Sequence, residues 1–129
     1  KREVIHLNEI LNQEKSIYLQ ISEMIENDIL RDILLEEEKV PSTNELAKFL
    51  KINPATAAKG INLLVDEGIL YKKRGIGMFV SQGAKQAVQK KRRDAFYDTY
   101  IRSLLIEAAS LGIREEELIC MIRGETPQK

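Results

Sequence analysis

Cysteine and histidine are almost missing from this 129-residue chain. Cys120 is alone, so no internal disulfide can form, which suits a reducing compartment. His6 is the single histidine, and no His, Cys or Asp spacing suits a zinc site. His6 therefore reads as a surface residue, and we expect neither a metal nor a cofactor. No apolar run approaches the about 18 residues of a membrane helix, and the opening KREVIHLNEI lacks the apolar core of a signal peptide. The chain starts at Lys1 rather than Met, so residues preceding it are expected. These absences point to a cytoplasmic protein without membrane contact. Internal repeats and low-complexity linkers are lacking too, and the length fits one domain or a small domain with an appendage. A chain of this size buries a core without staples.

Net charge is also zero, but that total hides a segregation along the chain. Residues 1–38 carry 4 Lys and Arg against 10 Asp and Glu, a net of −6. Residues 39–93 carry 12 against 3, a net of +9, and residues 94–129 carry 4 against 7, a net of −3. A polyanion partner would explain one concentrated positive block.

The apolar residues Ile17, Ile21, Met24, Ile25 and Ile29 recur at helical spacing over residues 17–30, with Ser16 as a plausible N-cap. The following acidic stretch, including Glu36-Glu37-Glu38, reads as a solvated loop rather than a cation site. Over residues 42–50 a capping box of Ser42 and Glu45 opens a short helix whose apolar face is Leu46, Ala47, Phe49 and Leu50. Asn53 then caps a second helix, with Pro54 at its first position. Ala57, Ile61 and Leu64 form the buried side, and Gly68 stops the helix. Two short strands, about Ile69–Lys73 and Met78–Ser81, are joined through Arg74-Gly75-Ile76-Gly77. From Gln86 to Ser110 a helix carries the apolar stripe Tyr97, Ile101, Leu104, Ala108 and Leu111, flanked by Phe96, Tyr100 and Leu105. Gly112 breaks it before a last short helix. The expected fold is mainly α with a small β-hairpin: a winged helix-turn-helix over residues 1–83, followed by a C-terminal helical dimerisation appendage over 84–129.

A helix that enters the major groove presents its N-terminal turns to DNA. With Ala57, Ile61 and Leu64 turned inward, the outer side of the second helix presents Asn53, Ala55, Thr56, Lys59 and Asn62, small or polar residues that allow close approach to base edges. Ser42, Thr43 and Asn44 suit phosphate or sugar contacts, although Ser42 reads first as a cap. At the hairpin tip Arg74 suits a narrow, negative minor groove. Gly75 and Gly77 permit positive φ and bring N–H groups near phosphate. Lys72 and Lys73 point to opposite faces of their strand, so only one is expected on DNA, and Lys73 is taken as that one. A second cationic run, Lys90 to Arg93, is either a solvated face or a contact to flanking phosphate.

The stretch VPSTNELAKFLKINPATAAKGINLLVDEGILYKKRGIGMFV resembles the GntR family of bacterial transcription factors. The resemblance rests on Pro41-Ser42, Glu45-Leu46-Ala47, Thr56, Glu67-Gly68 and Arg74-Gly75-x-Gly77-x-Phe79-Val80, and IYLQI resembles the family's usual opening. Asn53-Pro54-x-Thr56 with the later Lys59, and a short tail containing LGIREEEL, are similar to the YtrA-like subgroup. The resemblance implies an α-helical dimer, a palindromic operator in double-stranded DNA and repression of a neighbouring operon. The chain also departs from the family pattern. Asn44 replaces a common arginine, Asp32 and Glu37 replace turn glycines, and Glu36 replaces a proline. Ala55 removes a polar contact. Gly60 replaces an alanine, at an expected cost of about 1 kcal/mol. These departures imply modest affinity or an unusual operator.

Two other readings compete. Winged helices also serve as protein–protein interaction modules, which the +9 block disfavours. Catalysis is disfavoured because Gly75-x-Gly77 lacks the strand–turn–helix context of a dinucleotide site. Tyr97, Tyr100, Ile101, Leu104, Ala108 and Leu111 are the expected dimerisation residues. A tail this short cannot enclose a ligand, which leaves the dimer interface as the place for a small-molecule effector, chemically unidentified.

Overall fold

The structure, a computed structural model, describes residues 17–125. The cap expected at Ser16 and the surface position expected of His6 lie outside the described residues. The elements are α1 (Ile17–Leu30), α2 (Thr43–Leu50), α3 (Pro54–Asp66), β1 (Leu70–Lys73), β2 (Gly77–Val80), α4 (Ala84–Phe96), a π-helical turn (Tyr97–Ile101), α5 (Arg102–Ser110) and α6 (Glu115–Arg123). They form two compact units that part between Gln89 and Lys90. That division falls later than the expected boundary at 83/84, because Ala84 and Val88 belong to the core of the first unit.

In the first unit α1 packs across α3. Its buried face is Ile21, Ser22, Ile25, Glu26 and Ile29, so Met24, expected inside, is instead 45% exposed. The polar Ser22 is inside because it has acceptors there: its Oγ donates to the Gly60 carbonyl at 2.7 Å and to the Tyr18 carbonyl at 3.2 Å. A buried hydroxyl with partners avoids the desolvation penalty that would otherwise push it out. Gly60 explains the close approach. A Cβ there would stand 2.7 Å from the Tyr18 carbonyl oxygen and 3.1 Å from Ile21 Cβ. The glycine that looks like a propensity defect in α3 is thus a packing requirement.

The capping box of α2 closes as expected: Glu45 N–H donates to Ser42 Oγ at 3.1 Å, and Ser42 N–H donates to Glu45 Oε1 at 3.2 Å. Leu46 and Ala47 are buried, whereas Phe49, expected on the same face, is 82% exposed. At about 100° per residue Leu50 returns over Leu46 and Ala47, while Phe49 swings beyond the edge of that narrow stripe. On α3, Ala57, Ile61 and Leu64 are fully buried. The helix ends in a Schellman motif, with Ile69 N–H donating to Leu64 O at 2.9 Å and Gly68 N–H to Val65 O at 3.0 Å.

The wing pairs β1 and β2 antiparallel, in the register Leu70 with Val80 and Lys73 with Gly77. A short third segment joins it: Val40 N–H donates to Met78 O at 2.9 Å, and Val80 N–H to Glu38 O at 2.9 Å. The acidic loop before it is exposed, as expected, and its carboxylates also accept hydrogen bonds. Glu36 Oε1 accepts from Gly83 N–H at 2.8 Å, Glu37 accepts from the Tyr71 hydroxyl, and Glu38 Oε1 accepts from Leu35 N–H at 2.7 Å. Asp32 and Glu37, standing where glycines are usual, adopt left-handed backbone with φ of 60° and 67°.

In the second unit α5 ends at Ser110, Gly112 turns the chain with a φ of 69°, and α6 follows. Ala108 is the one buried apolar residue of α5, while Tyr97, Tyr100, Leu104 and Leu111 are exposed.

Candidate nucleic-acid interface

The outer side of α3 is open. Asn53, Ala55, Lys59 and Asn62 are exposed and Thr56 is half-buried, directly opposite the fully buried Ala57, Ile61 and Leu64. Asn53 starts the helix by accepting the Ala55 N–H on Oδ1 at 2.8 Å, which satisfies one of the free donors of the first turn. Ser42 is exposed but its Oγ is engaged in the cap, Thr43 is half-buried and Asn44 exposed. The Ser42 backbone N–H, and after it the Ser42 hydroxyl, hold the Glu45 carboxyl below its ordinary value of 4.5.

At the wing tip Arg74, Gly75 and Ile76 are exposed, with φ of +79° at Gly75 and +142° at Gly77, values that favour glycine. Lys73 lies on the aromatic face of the wing, its Nζ 4.5 Å from the Phe79 ring centroid and 5.9 Å from that of Tyr71. The charge is thereby held over the sheet, and Lys72 occupies the other face. Hydrogen bonding to Glu37 is the main cause that raises the Tyr71 phenol above its ordinary 10.

Two residues absent from the expected set sit beside it. Lys39 runs under the wing turn, so close that a Cβ on Gly77 would meet its Cε at 2.8 Å. Tyr18, at the start of α1, places its ring under Lys59, whose Nζ is 4.1 Å from the centroid. Tyr18, Ala55, Ala58, Lys59, Asn62, Leu63 and Asp66 line one open groove along α3. Lys39 belongs to the basic block and could have been singled out on that ground. Tyr18 had no such signal, because its partner is remote in sequence.

Of the expected dimerisation residues, Tyr97, Tyr100, Leu104 and Leu111 are exposed and Ile101 is half-buried. Ala108 is 5% exposed, so the chain itself covers it and it is not on an open surface. Phe96 and Tyr100 rings lie 5.3 Å apart over the π-helical turn. Among the described residues no group of His, Cys, Asp and Glu could hold a metal, and no helix is long and apolar enough to cross a membrane.

The sequence pattern of the bacterial regulatory proteins of the gntR family matches residues 17–80. The HTH-type transcriptional repressor YtrA of Bacillus subtilis (strain 168) is 31% identical over 102 residues, covering 79% of this chain and 78% of that protein. The HTH-type transcriptional regulator YhcF of the same organism is 30% identical over 105 residues, covering 81% and 85%. Alignments of this length must run past residue 80 into the helical tail. A crystal structure of a GntR-family regulator from Bacteroides thetaiotaomicron superposes with a TM-score of 0.68 at 34% identity, covering 84% of this chain and 94% of that one. A GntR-family regulator from Listeria monocytogenes gives 0.69 at 26% identity, covering 85% and 95%. The winged helix, the open outer side of α3 and these likenesses agree, and the chain belongs to the GntR family of bacterial regulatory proteins, DNA-binding transcription regulators rather than enzymes.

Proposed function

We propose that the protein is a cytoplasmic, sequence-specific repressor that binds a palindromic operator as a homodimer. The observation that carries this reading is the two-sided character of α3: Ala57, Ile61 and Leu64 have no exposed surface, while Ala55 and Lys59 are open to solvent on the opposite side. In this reading Ala55, Thr56 and Lys59 meet base edges and Ser42, Thr43, Asn44 and Asn53 meet the backbone. Arg74, with Gly75 and Gly77, enters the minor groove, and Lys73 follows the backbone. The winged unit reads the DNA and the helical tail pairs two copies. Exposed Tyr97, Tyr100, Leu104 and Leu111 support that pairing, since so much large apolar surface on one short segment is costly in water. Any effector would sit at that interface.

Fluorescence anisotropy with DNA from the intergenic region upstream of the gene, across a salt series, tests the reading. Each neutralised phosphate steepens the logarithmic salt slope by about 0.9. A flat salt response, or equal affinity for random DNA, refutes it.

A further inference from the structure

Lys59 is the one cation on the outer face of α3, and a long flexible side chain there is a poor reader of bases unless something limits its rotamers. The structure supplies that limit from another helix. Resting on the function proposed above, we infer that Tyr18 is a specificity-determining positioning residue, its ring holding the Lys59 ammonium over the first turns of α3 for base readout. Three observations converge. The Nζ lies 4.1 Å from the ring centroid, a distance at which the negative face of the ring attracts an ammonium. Both side chains line the same open groove as Ala55 and Asn62. The backbone of Tyr18 is itself pinned to α3: Gly60 lacks the Cβ that would meet its carbonyl at 2.7 Å, and Ser22 bonds both the Tyr18 and the Gly60 carbonyls. Gly60 therefore determines how near α1 comes, α1 places the ring, and the ring places the charge. No contact between Tyr18 and DNA is required.

The test uses the full chain, an operator duplex and a scrambled duplex, with Tyr18→Phe, Tyr18→Leu, Lys59→Ala and the Tyr18→Leu/Lys59→Ala double variant. Tyr18→Phe keeps the ring and retains the ratio of operator to scrambled affinity. Tyr18→Leu lowers that ratio about two- to fivefold, the range of an exposed cation–π contact. In the Lys59→Ala background Tyr18→Leu changes it no further. A structural role alone would not produce the spectroscopic signature: the Lys59 ε-methylene protons are shifted upfield by the ring in the wild type and in Tyr18→Phe, and return to ordinary values in Tyr18→Leu. If Tyr18→Leu does not fold, Tyr18→Met replaces it. A loss in Tyr18→Phe equal to that in Tyr18→Leu assigns the effect to the hydroxyl and overturns the inference. Additive losses in the double variant, or unshifted Lys59 protons in the wild type, overturn it as well. A wild type without operator preference sinks the functional proposal instead, and the Lys59 proton shifts still decide whether the ring holds the charge.

Discussion

Gly60→Ala sets helix propensity against tertiary packing within one methyl group. Alanine in a helix interior is favoured over glycine by about 1 kcal/mol, so α3 alone would gain from the change. The added Cβ, however, would stand 2.7 Å from the Tyr18 carbonyl oxygen and 3.1 Å from Ile21 Cβ and Cγ2. The nearest of these is backbone and the others lie at the root of a side chain, so nothing flexible can swing away. Relieving the clash means displacing α1, and overpacking of this kind costs about 1–3 kcal/mol. The displacement also stretches the 2.7 Å bond from Ser22 to the Gly60 carbonyl, worth about 1 kcal/mol. The balance is a net loss of about 1–3 kcal/mol, a fall in Tm of about 4–24 °C for a domain of this size. Thermal melts followed by circular dichroism, with urea titrations to confirm an unchanged m-value, measure it. An unchanged or raised Tm would show that α1 and α3 do not need this approach, and the packing argument would fail. A destabilised but folded Gly60→Ala protein should also show weaker operator preference, because Tyr18 leaves Lys59.

Lys59→Ala should relax sequence preference while Arg74→Ala weakens binding; if anisotropy titrations of both match the wild type, the DNA-facing surface has been placed wrongly. Leu104→Glu, which sets a charge in the exposed stripe of the tail, should leave a monomer in sedimentation at micromolar concentration where the wild type is a dimer. Glu45 is depressed below 4.5, so its contribution to stability is present above that value and disappears as pH falls through the lower folded value. Ser42→Ala should raise the Glu45 value only part way in a carbon-13 NMR titration, because the Ser42 backbone N–H survives the substitution. Tyr71 shifts the other way: its neutral phenol is favoured, so its contribution is present below 10 and vanishes as pH rises through the raised folded value. Glu37→Gln should move the phenol titration, read by ultraviolet absorbance, back toward 10.

The sequence by itself determined whatever depends on neighbours within a turn or two. Ser42 with Glu45, Asn53 with Pro54, and Gly68 after α3 are local hydrogen-bonding and backbone devices, and each formed where the residue types demanded. The inward face of α3 followed from its spacing alone. Tertiary structure decided whatever depends on a distant partner. Ser22 is buried because an acceptor 38 residues away meets it, and Met24 is displaced outward by the same rotation of α1. Glu36 and Glu37 sit in an exposed acidic run whose carboxylates meet Gly83 and Tyr71, partners that only the tertiary fold brings to them. Phe49 looks apolar enough for the core, but only the stripe of Leu46 and Ala47 meets it, and Phe49 stays 82% exposed. The same limit hid Tyr18, for the pairing with Lys59 exists only because two helices cross at a residue without a side chain. Local patterns encode the torsions of the chain; which surfaces meet is decided by the packing of remote segments, and it is there that the groove along α3 takes its shape.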